Sequence, residues 1–411
     1  VKKYDIGFDL AVQLAMENSL LISSESINIS NAVGRVLSAP VYAAVDSPTL
    51  DASLKDGYAV VSSDLADASE SSPVELKIIG QAAAGGPIDL NVRPGTAIRI
   101  LSGAPAPAGA TAVLADEFTT KHGDIVRAFA TADPGRNILP KGSDVGCGEI
   151  LGVAGQRLTP QLIGLLVAGG ICDVEVFQRP KIGLLATGSE ILLPGDAIAP
   201  GKLYASNAAL QQAWFQYLGF DSNVSASGDS EASIRNALTR MHDACDVIVT
   251  SGGAWKGDRD LVVKVLDGLG WRKLFHRVRM GPGKAVAMGF FGSKPVFCLP
   301  GGPASNEMAF MMIVFSAILK FSGFKHSPFL CLTGKMEKEI RGQKDWTQFV
   351  QCEIIQKQPE IILRPGKMKS RLAAMSRTHA IVKIPEGVEV ISAGEHVPFI
   401  CLNKEVFAVT L

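Results

Sequence analysis

Three short segments of this 411-residue chain carry residue types suited to holding an anion. They are Ala186-Thr187-Gly188-Ser189-Glu190, Thr250-Ser251-Gly252-Gly253 and Leu299-Pro300-Gly301-Gly302-Pro303-Ala304-Ser305. Each is a glycine-containing turn at the carboxyl end of a run that reads as a strand. Glycines let backbone N–H groups approach an anion, and a following helix N-terminus favours negative charge. Thr187, Ser251 and Ser305 add hydroxyl donors. One such loop is explained by tight turning alone. Three at one sheet edge point to a phosphate or oxyanion cleft, because open parallel sheets bind ligands outside their carboxyl ends. The chain has neither a G-x-x-x-x-G-K-[ST] loop nor a G-x-G-x-x-G fingerprint, which disfavours a standard ATPase or NAD enzyme.

Carboxylates stand beside these turns. In Gly257-Asp258-Arg259-Asp260, Asp258 reads as a helix cap and Asp260 as a metal ligand. Mg²⁺ needs one or two carboxylates plus substrate phosphates. Glu190 is a similar candidate, and each acid also suits a helix's first turn by charge. Lys284 follows the turn Gly281-Pro282-Gly283 and fits either an oxyanion partner or a solvated loop lysine. Trp255, beside Gly253, fits a stacking platform or a packed lid. By spacing alone, Asp56-Gly57, Ser102-Gly103 and Gly142-Ser143-Asp144 are ordinary turns. The six histidines have no metal-ligand spacing, and no G-x-S-x-G elbow is present.

The pattern around these residues predicts their scaffold. Strand-like runs at Lys181 to Ala186, Ser222 to Ala226, Asp246 to Thr250 and Pro295 to Leu299 alternate with helical periods. The helices are expected at Ser206 to Leu218, Ser230 to His242, Asp258 to Leu269 and Ser305 to Phe321. That alternation predicts a parallel sheet with crossover helices. Earlier, Phe8 to Leu20 reads as an amphipathic helix, and a short helix is expected from Ser30 to Pro40. Pro160 to Ala168 is also helical. Short strands from Val41 to Asp133 predict a β module, and those after Pro328 a second one.

Composition bounds the rest. The length suggests about two to four domains. Forty basic and forty acidic residues give zero net charge, which argues against a nucleic-acid-coating protein. With 47% hydrophobic and 19% charged residues, the chain can bury real cores. Seven cysteines without a C-x-x-C pair do not form a disulfide framework or zinc ribbon. The N-terminal residues show no signal-peptide apolar region, and Met308 to Leu319 is too short to span a bilayer. A cytoplasmic protein without a membrane span is expected.

Taken in order, the motifs resemble one family over nearly the whole chain. Asp51-Ala52-Ser53-Leu54-Lys55-Asp56-Gly57-Tyr58-Ala59 resembles D-N-S-A-M-D-G-Y-A, and Arg99 to Pro107 resembles R-I-x-T-G-A-P-x-P. Gly142-Ser143-Asp144 matches G-x-D, and Thr187-Gly188-Ser189-Glu190 resembles T-G-D-E. Ser251 to Asp260 resembles S-G-G-V-S-x-G-x-x-D, Gly281 to Ala285 K-P-G-K-P, and Leu299 to Ser305 L-P-G-N-P-x-S. The ordered set is similar to the MoeA/gephyrin family, the molybdopterin molybdenumtransferases.

The resemblance implies a multidomain α/β plus β fold. Its parts would be a discontinuous helical linker domain (1–45 and 134–179), a β insert (46–133), a three-layer MogA-like α/β molybdopterin-binding domain (180–327) and a C-terminal β barrel (328–411). It implies insertion of molybdate or tungstate into adenylylated molybdopterin, with Mg²⁺ and release of AMP. It also implies a homodimer with a cleft shared between subunits, and molybdopterin-pathway or apo-molybdoenzyme partners. By motif matching, Asp56, Asp144, Glu190 and Asp260 would be catalytic, with Asp260 and Glu190 on the metal. Ser102, Thr187, Gly188, Asp229, Ser251, Gly252 and Gly253 would bind substrate. Lys284, Pro300, Gly301, Ser305, Ser370 and Arg371 would complete that set. The chain departs from the family patterns at Ala52, Lys55, Ser189, Ala205, Trp255, Gly281, Gly302 and Met368. Several are lost polar groups, so a binding or assembly protein using the same cleft is the alternative.

Overall fold

The structure is a computed structural model that describes residues 6–18, 22–86, 89–253, 261–366, 372–403 and 407. The chain divides into two compact units, Val1–Glu25 with Val176–Leu411, and Ser26–Glu175.

The first unit is built on a six-stranded sheet. Its order is Ser222–Ser227, Ile182–Thr187, Val247–Ser251, Lys294–Leu299, Ala287–Phe291 and Arg272–His276. The first four strands are parallel, and the last two join antiparallel. The central strands are uninterrupted apolar runs because helices cover both faces. One face packs Leu184, Val249 and Phe297 against the helical stretch Pro303–Phe321. The other packs Leu185, Ile248 and Val296 against Glu231–Ala244 and Leu261–Gly268. Ser251 lies opposite both Ala186 and Leu299, so three turns leave the sheet at one level.

Pro303–Phe321 is long and apolar enough to cross a membrane, yet it is mostly buried as the core helix of this unit. A π turn, Phe310–Val314, interrupts the continuous α helix that periodicity predicts. The helix Phe8–Glu17 inserts Phe8, Ala11 and Ala15 into this same core, and Phe8 meets Phe349 edge-on at 4.9 Å. Its apolar face is buried in this core, and the segment groups with the first unit by contact.

After Phe324 the chain closes a five-stranded barrel. Thr347–Gln356 pairs with Ile362–Pro365 on one side and Ala380–Ile384 on the other. Leu330–Met336 and His396–Cys401 complete the ring. Val278–Gly281 and Ile6–Gly7 extend this sheet in parallel.

The second unit centres on a six-stranded sheet with apolar clusters on both faces. Tyr58 and Val60 point into one, Ala59 into the other. Its edge strand Thr119–His122 carries no apolar alternation, so local pattern does not reveal it. The helix Pro160–Ala168 begins where expected: Thr159 accepts a hydrogen bond from Leu162 N at 3.2 Å, and proline opens the first turn. The expected Ser30-to-Pro40 helix is only one 3-10 turn, Ile29–Asn31, capped by Asn28. Gly34, at φ 77°, and pairing of Val36 with Arg157 turn the chain away from helix.

Candidate functional site

The three turns frame a cavity of about 1050 Å³ at the carboxyl edge of the first unit's sheet. Thr187, Gly188 and Glu190 line it from the first turn, and Ser251, Gly252 and Gly253 from the second. Gly301 comes from the third, and Asp229 from the loop after Ser222–Ser227. Tyr204, Asn207 and Leu372 also line it.

The turns interlock. A Cβ on Gly252 would lie 2.7 Å from Thr187 Oγ1, and one on Gly301 would lie 3.9 Å from Gly252 Cα. Gly252, at φ 103°, is held where only glycine sits without strain. Thr187 Oγ1 donates to the Ser251 carbonyl at 3.3 Å. The expectation that glycine N–H groups face the anion is corrected at two positions. Gly188 N–H donates to Ser227 O, and Gly252 N–H to Leu299 O, both at 3.0 Å. These donors are spent stitching the turns together, so the role of both glycines is close approach.

Two asparagines fix the second and third turns. Asn207 Nδ2 donates to Gly301 O at 2.8 Å and Ser251 Oγ at 3.2 Å. Asn306 Nδ2 donates to Pro300 O at 2.8 Å and Ser251 Oγ at 3.0 Å. Gln211 Nε2 in turn donates to Asn306 Oδ1 at 2.6 Å. Sequence reasoning did not single out Asn306 or Gln211; the one signal was their helical position behind two binding turns. Across the cavity, Ser189 and Asp229 form a reciprocal pair. Ser189 N–H donates to Asp229 Oδ2 at 2.9 Å, and Asp229 N–H donates to Ser189 Oγ at 3.1 Å.

Lys284, Pro300 and Ser305 are not among the residues that line the cavity. Lys284 is exposed and Ser305 half-buried. Their segments meet, since a Cβ on Gly283 would lie 3.2 Å from the Ser305 carbonyl oxygen. Pro300 contributes its carbonyl to Asn306. Asp260, Ser370 and Arg371 lie outside the described residues, as do Asp258, Trp255 and Met368. Asp56, Ser102 and Asp144 belong to the second unit. There Asp56 Oδ1 accepts from Ser102 N–H at 2.7 Å, which joins two of the expected motifs. Asp144 is exposed, and its N–H donates to Ser47 O at 3.0 Å. Among the described residues, no group of three or more His, Cys, Asp or Glu is placed to hold a metal.

Next to Asn306 lies a buried carboxylate. Glu307 is 6% exposed and accepts from Gln351 Nε2, on the barrel, at 2.6 Å. Burial pushes its carboxyl above the ordinary 4.5, against a smaller opposing effect of the Gln351 bond. The folded chain therefore holds this proton more tightly than the unfolded chain. Its contribution to stability is full below the ordinary value and lost as pH rises through the raised one. Glu307→Gln is expected to remove that loss, becoming more stable than the parent as pH climbs through this window. Urea unfolding of both proteins from about pH 4 to about pH 8 checks it; parallel stability curves would refute it. Cys298, by contrast, is inert: burial pushes its thiol up to about 12.

Comparison with known proteins covers both units. "MoeA N-terminal region (domain I and II)" matches residues 6–170, "Probable molybdopterin binding domain" residues 183–320, and "MoeA C-terminal region (domain IV)" residues 333–402. Molybdopterin molybdenumtransferase 2 of Mycobacterium tuberculosis H37Rv is 30% identical over 376 residues, covering 90% of this chain and 93% of that protein. The Bacillus subtilis 168 molybdopterin molybdenumtransferase is 27% identical over 418 residues, covering 98% and 96%. The crystal structure of the molybdopterin biosynthesis MoeA protein of Pyrococcus horikoshii superposes with a TM-score of 0.84 at 29% identity. That match covers 97% of this chain and 99% of the other. The interlocked turns fall inside the molybdopterin-binding match, and the chain belongs to the MoeA family of molybdopterin molybdenumtransferases.

Proposed function

We propose that this chain binds adenylylated molybdopterin in the cavity and inserts molybdate or tungstate into it, releasing AMP. One observation carries the reading. Three interlocked turns, with the loop after Ser222–Ser227, place hydroxyl groups and two carboxylates, Glu190 and Asp229, around one cavity within the molybdopterin-binding match. Ser251 orients the anionic groups, the Thr187 hydroxyl being already donated to the Ser251 carbonyl, and the cavity volume suits a nucleotide-sized ligand.

The donor set fits Mg²⁺. Two carboxylates line the cavity without a third acidic, histidine or cysteine group among the described residues, and Mg²⁺ completes such a shell with phosphate and water. Glu190 would hold it, with Asp260, which lies outside the described residues, assigned by motif as the second ligand, while Asp229 is tied to the Ser189 main chain. When bound, the cation neutralises phosphate charge. Asp229 keeps Ser189 in place through the reciprocal pair. Lys284 and Ser305, with Ser370 and Arg371, are assigned to the oxyanion side. The proposed partners are a second copy of this chain and an apo-molybdoenzyme that receives the product.

One feature favours a second reading, a binding protein with little turnover. Ala205 stands where the family pattern Y-D-x-N, here Tyr204-Ala205-Ser206-Asn207, has an aspartate, and with Ala186 and Ala208 it lines the cavity with apolar surface. The test is AMP release from adenylylated molybdopterin with Mg²⁺ and molybdate. Turnover dependent on both supports transfer; tight binding without AMP release supports the second reading.

A shared cleft makes its own prediction. Asp56→Ala and Glu190→Gln chains, each inactive alone, are expected to regain activity when co-expressed. A mixed dimer would carry both lesions in one cleft and leave the other intact. Mixed dimers purified with two tags that remain inactive would exclude a cleft built from both subunits.

A further inference from the structure

We propose that Asn306 is a positioning residue that, together with Asn207, makes the Ser251 hydroxyl an obligate hydrogen-bond donor to a phosphate or oxyanion oxygen in the cavity. The proposal rests on the reading of the cavity as an anionic-nucleotide site and deepens it.

Two main-chain carbonyls set the orientation of both asparagines. Pro300 O lies 2.8 Å from the terminal amide of Asn306, and Gly301 O lies 2.8 Å from that of Asn207. A carbonyl only accepts, so the amide atom facing each one is nitrogen. Each NH₂ group has a second hydrogen, and both are directed at Ser251 Oγ, at 3.0 and 3.2 Å. A hydroxyl oxygen has two lone pairs and one hydrogen. Both lone pairs are therefore filled from the protein side. The remaining O–H bond must point away from the two amides, and Ser251 lines the cavity.

The arrangement is held from behind. Asn306 is 1% exposed and Gln211 fully buried. Gln211 Nε2 donates to Asn306 Oδ1, which locks the asparagine with its nitrogen forward. That orientation leaves Gln211 Oε1 buried with no hydrogen-bond partner. A buried unsatisfied amide oxygen is costly. It is tolerated where the alternative, a flipped Asn306, would set its oxygen against the Pro300 carbonyl. A hydroxyl that cannot accept discriminates among ligand atoms. It rewards a phosphate or oxyanion oxygen, which only accepts, and disfavours a ligand group that can only donate, such as an ammonium.

The test is calorimetric titration of the full chain with AMP and with adenosine. The parent is expected to prefer AMP. Ser251→Ala, which removes the donor, is expected to lower that preference about tenfold. Asn306→Asp puts an acceptor in place of the amide nitrogen, so the hydroxyl turns inward; a loss of similar size is expected. Asn207→Asp, at a half-buried position, makes the same change should the Asn306 variant fold poorly. In a Ser251→Ala background neither aspartate should cost much more. An undiminished further loss there would mean that the new charge acts directly on the ligand, and would overturn the proposal. So would an unchanged preference in Ser251→Ala. A parent chain that binds AMP no better than adenosine would instead refute the phosphate-site reading, and this inference with it.

Discussion

Gly252→Ala is expected to cut AMP-forming turnover by about 100-fold in a chain that still folds. The added methyl would meet Thr187 Oγ1 at 2.7 Å and Thr187 O at 2.8 Å. Neither atom can yield easily: the hydroxyl is tied to Ser251 O, and the carbonyl belongs to a central strand. The backbone at φ 103° adds strain of its own, about 1–2 kcal/mol for a non-glycine residue with positive φ. The second turn would have to move outward and carry Ser251 with it. A displacement of about 1 Å at a positioned group costs about 100-fold in rate. Gly195→Ala separates strain from collision, because Gly195 has φ 102° and a methyl added there would meet no atom within 4 Å. The check is AMP release beside thermal unfolding for both variants. Equal losses in the two would show that strain alone, and not contact between the turns, accounts for the effect.

Glu190→Gln has the second large effect, of a different kind. Glu190 is exposed on the cavity wall, and its carboxylate folds over Gly188, where a Cβ would lie 2.6 Å from Oε2. Glutamine keeps the shape and removes the charge. Stability should change by no more than about 0.5 kcal/mol, as for other exposed substitutions. Turnover should fall about 100-fold or more, the size of effect seen when one group stabilising charge in a transition state is removed. Mg²⁺ titration distinguishes the cause: the variant should need more Mg²⁺ for half-maximal rate. A rate within a few-fold of the parent would remove Glu190 from the metal site.

Much of the scaffold could be read from local pattern. The central strands are largely apolar, so their limits emerge to within a residue or two, as at Ile182–Thr187 and Lys294–Leu299. The helix Glu231–Ala244 announces itself by Ser230, whose hydroxyl accepts from Ser233 N–H at 3.2 Å. Patterning failed where pairing with distant chain overrode it. Val36 and Leu37 look helical beside Ser30, but their partners are Arg157 and Gln156. The N-terminal helix was legible as a helix; that its apolar face belongs to the first unit was not, because amphipathicity does not name the surface it meets.

The same division holds at the site. Three glycine turns, their hydroxyls and their carboxylates are legible in the chain alone, because turn chemistry is encoded in adjacent residues. So is family membership, through motifs kept in order along the chain. Which donors face the ligand emerges only on folding. Gly188 and Gly252 look like anion donors until Ser227 O and Leu299 O take their N–H groups. Ser251 looks like one hydroxyl among several until Asn207 and Asn306, 44 and 55 residues away, fill its lone pairs. Hydrogen-bond capacity belongs to a residue, but whether it is already spent depends on neighbours that only the folded chain brings within about 3.5 Å.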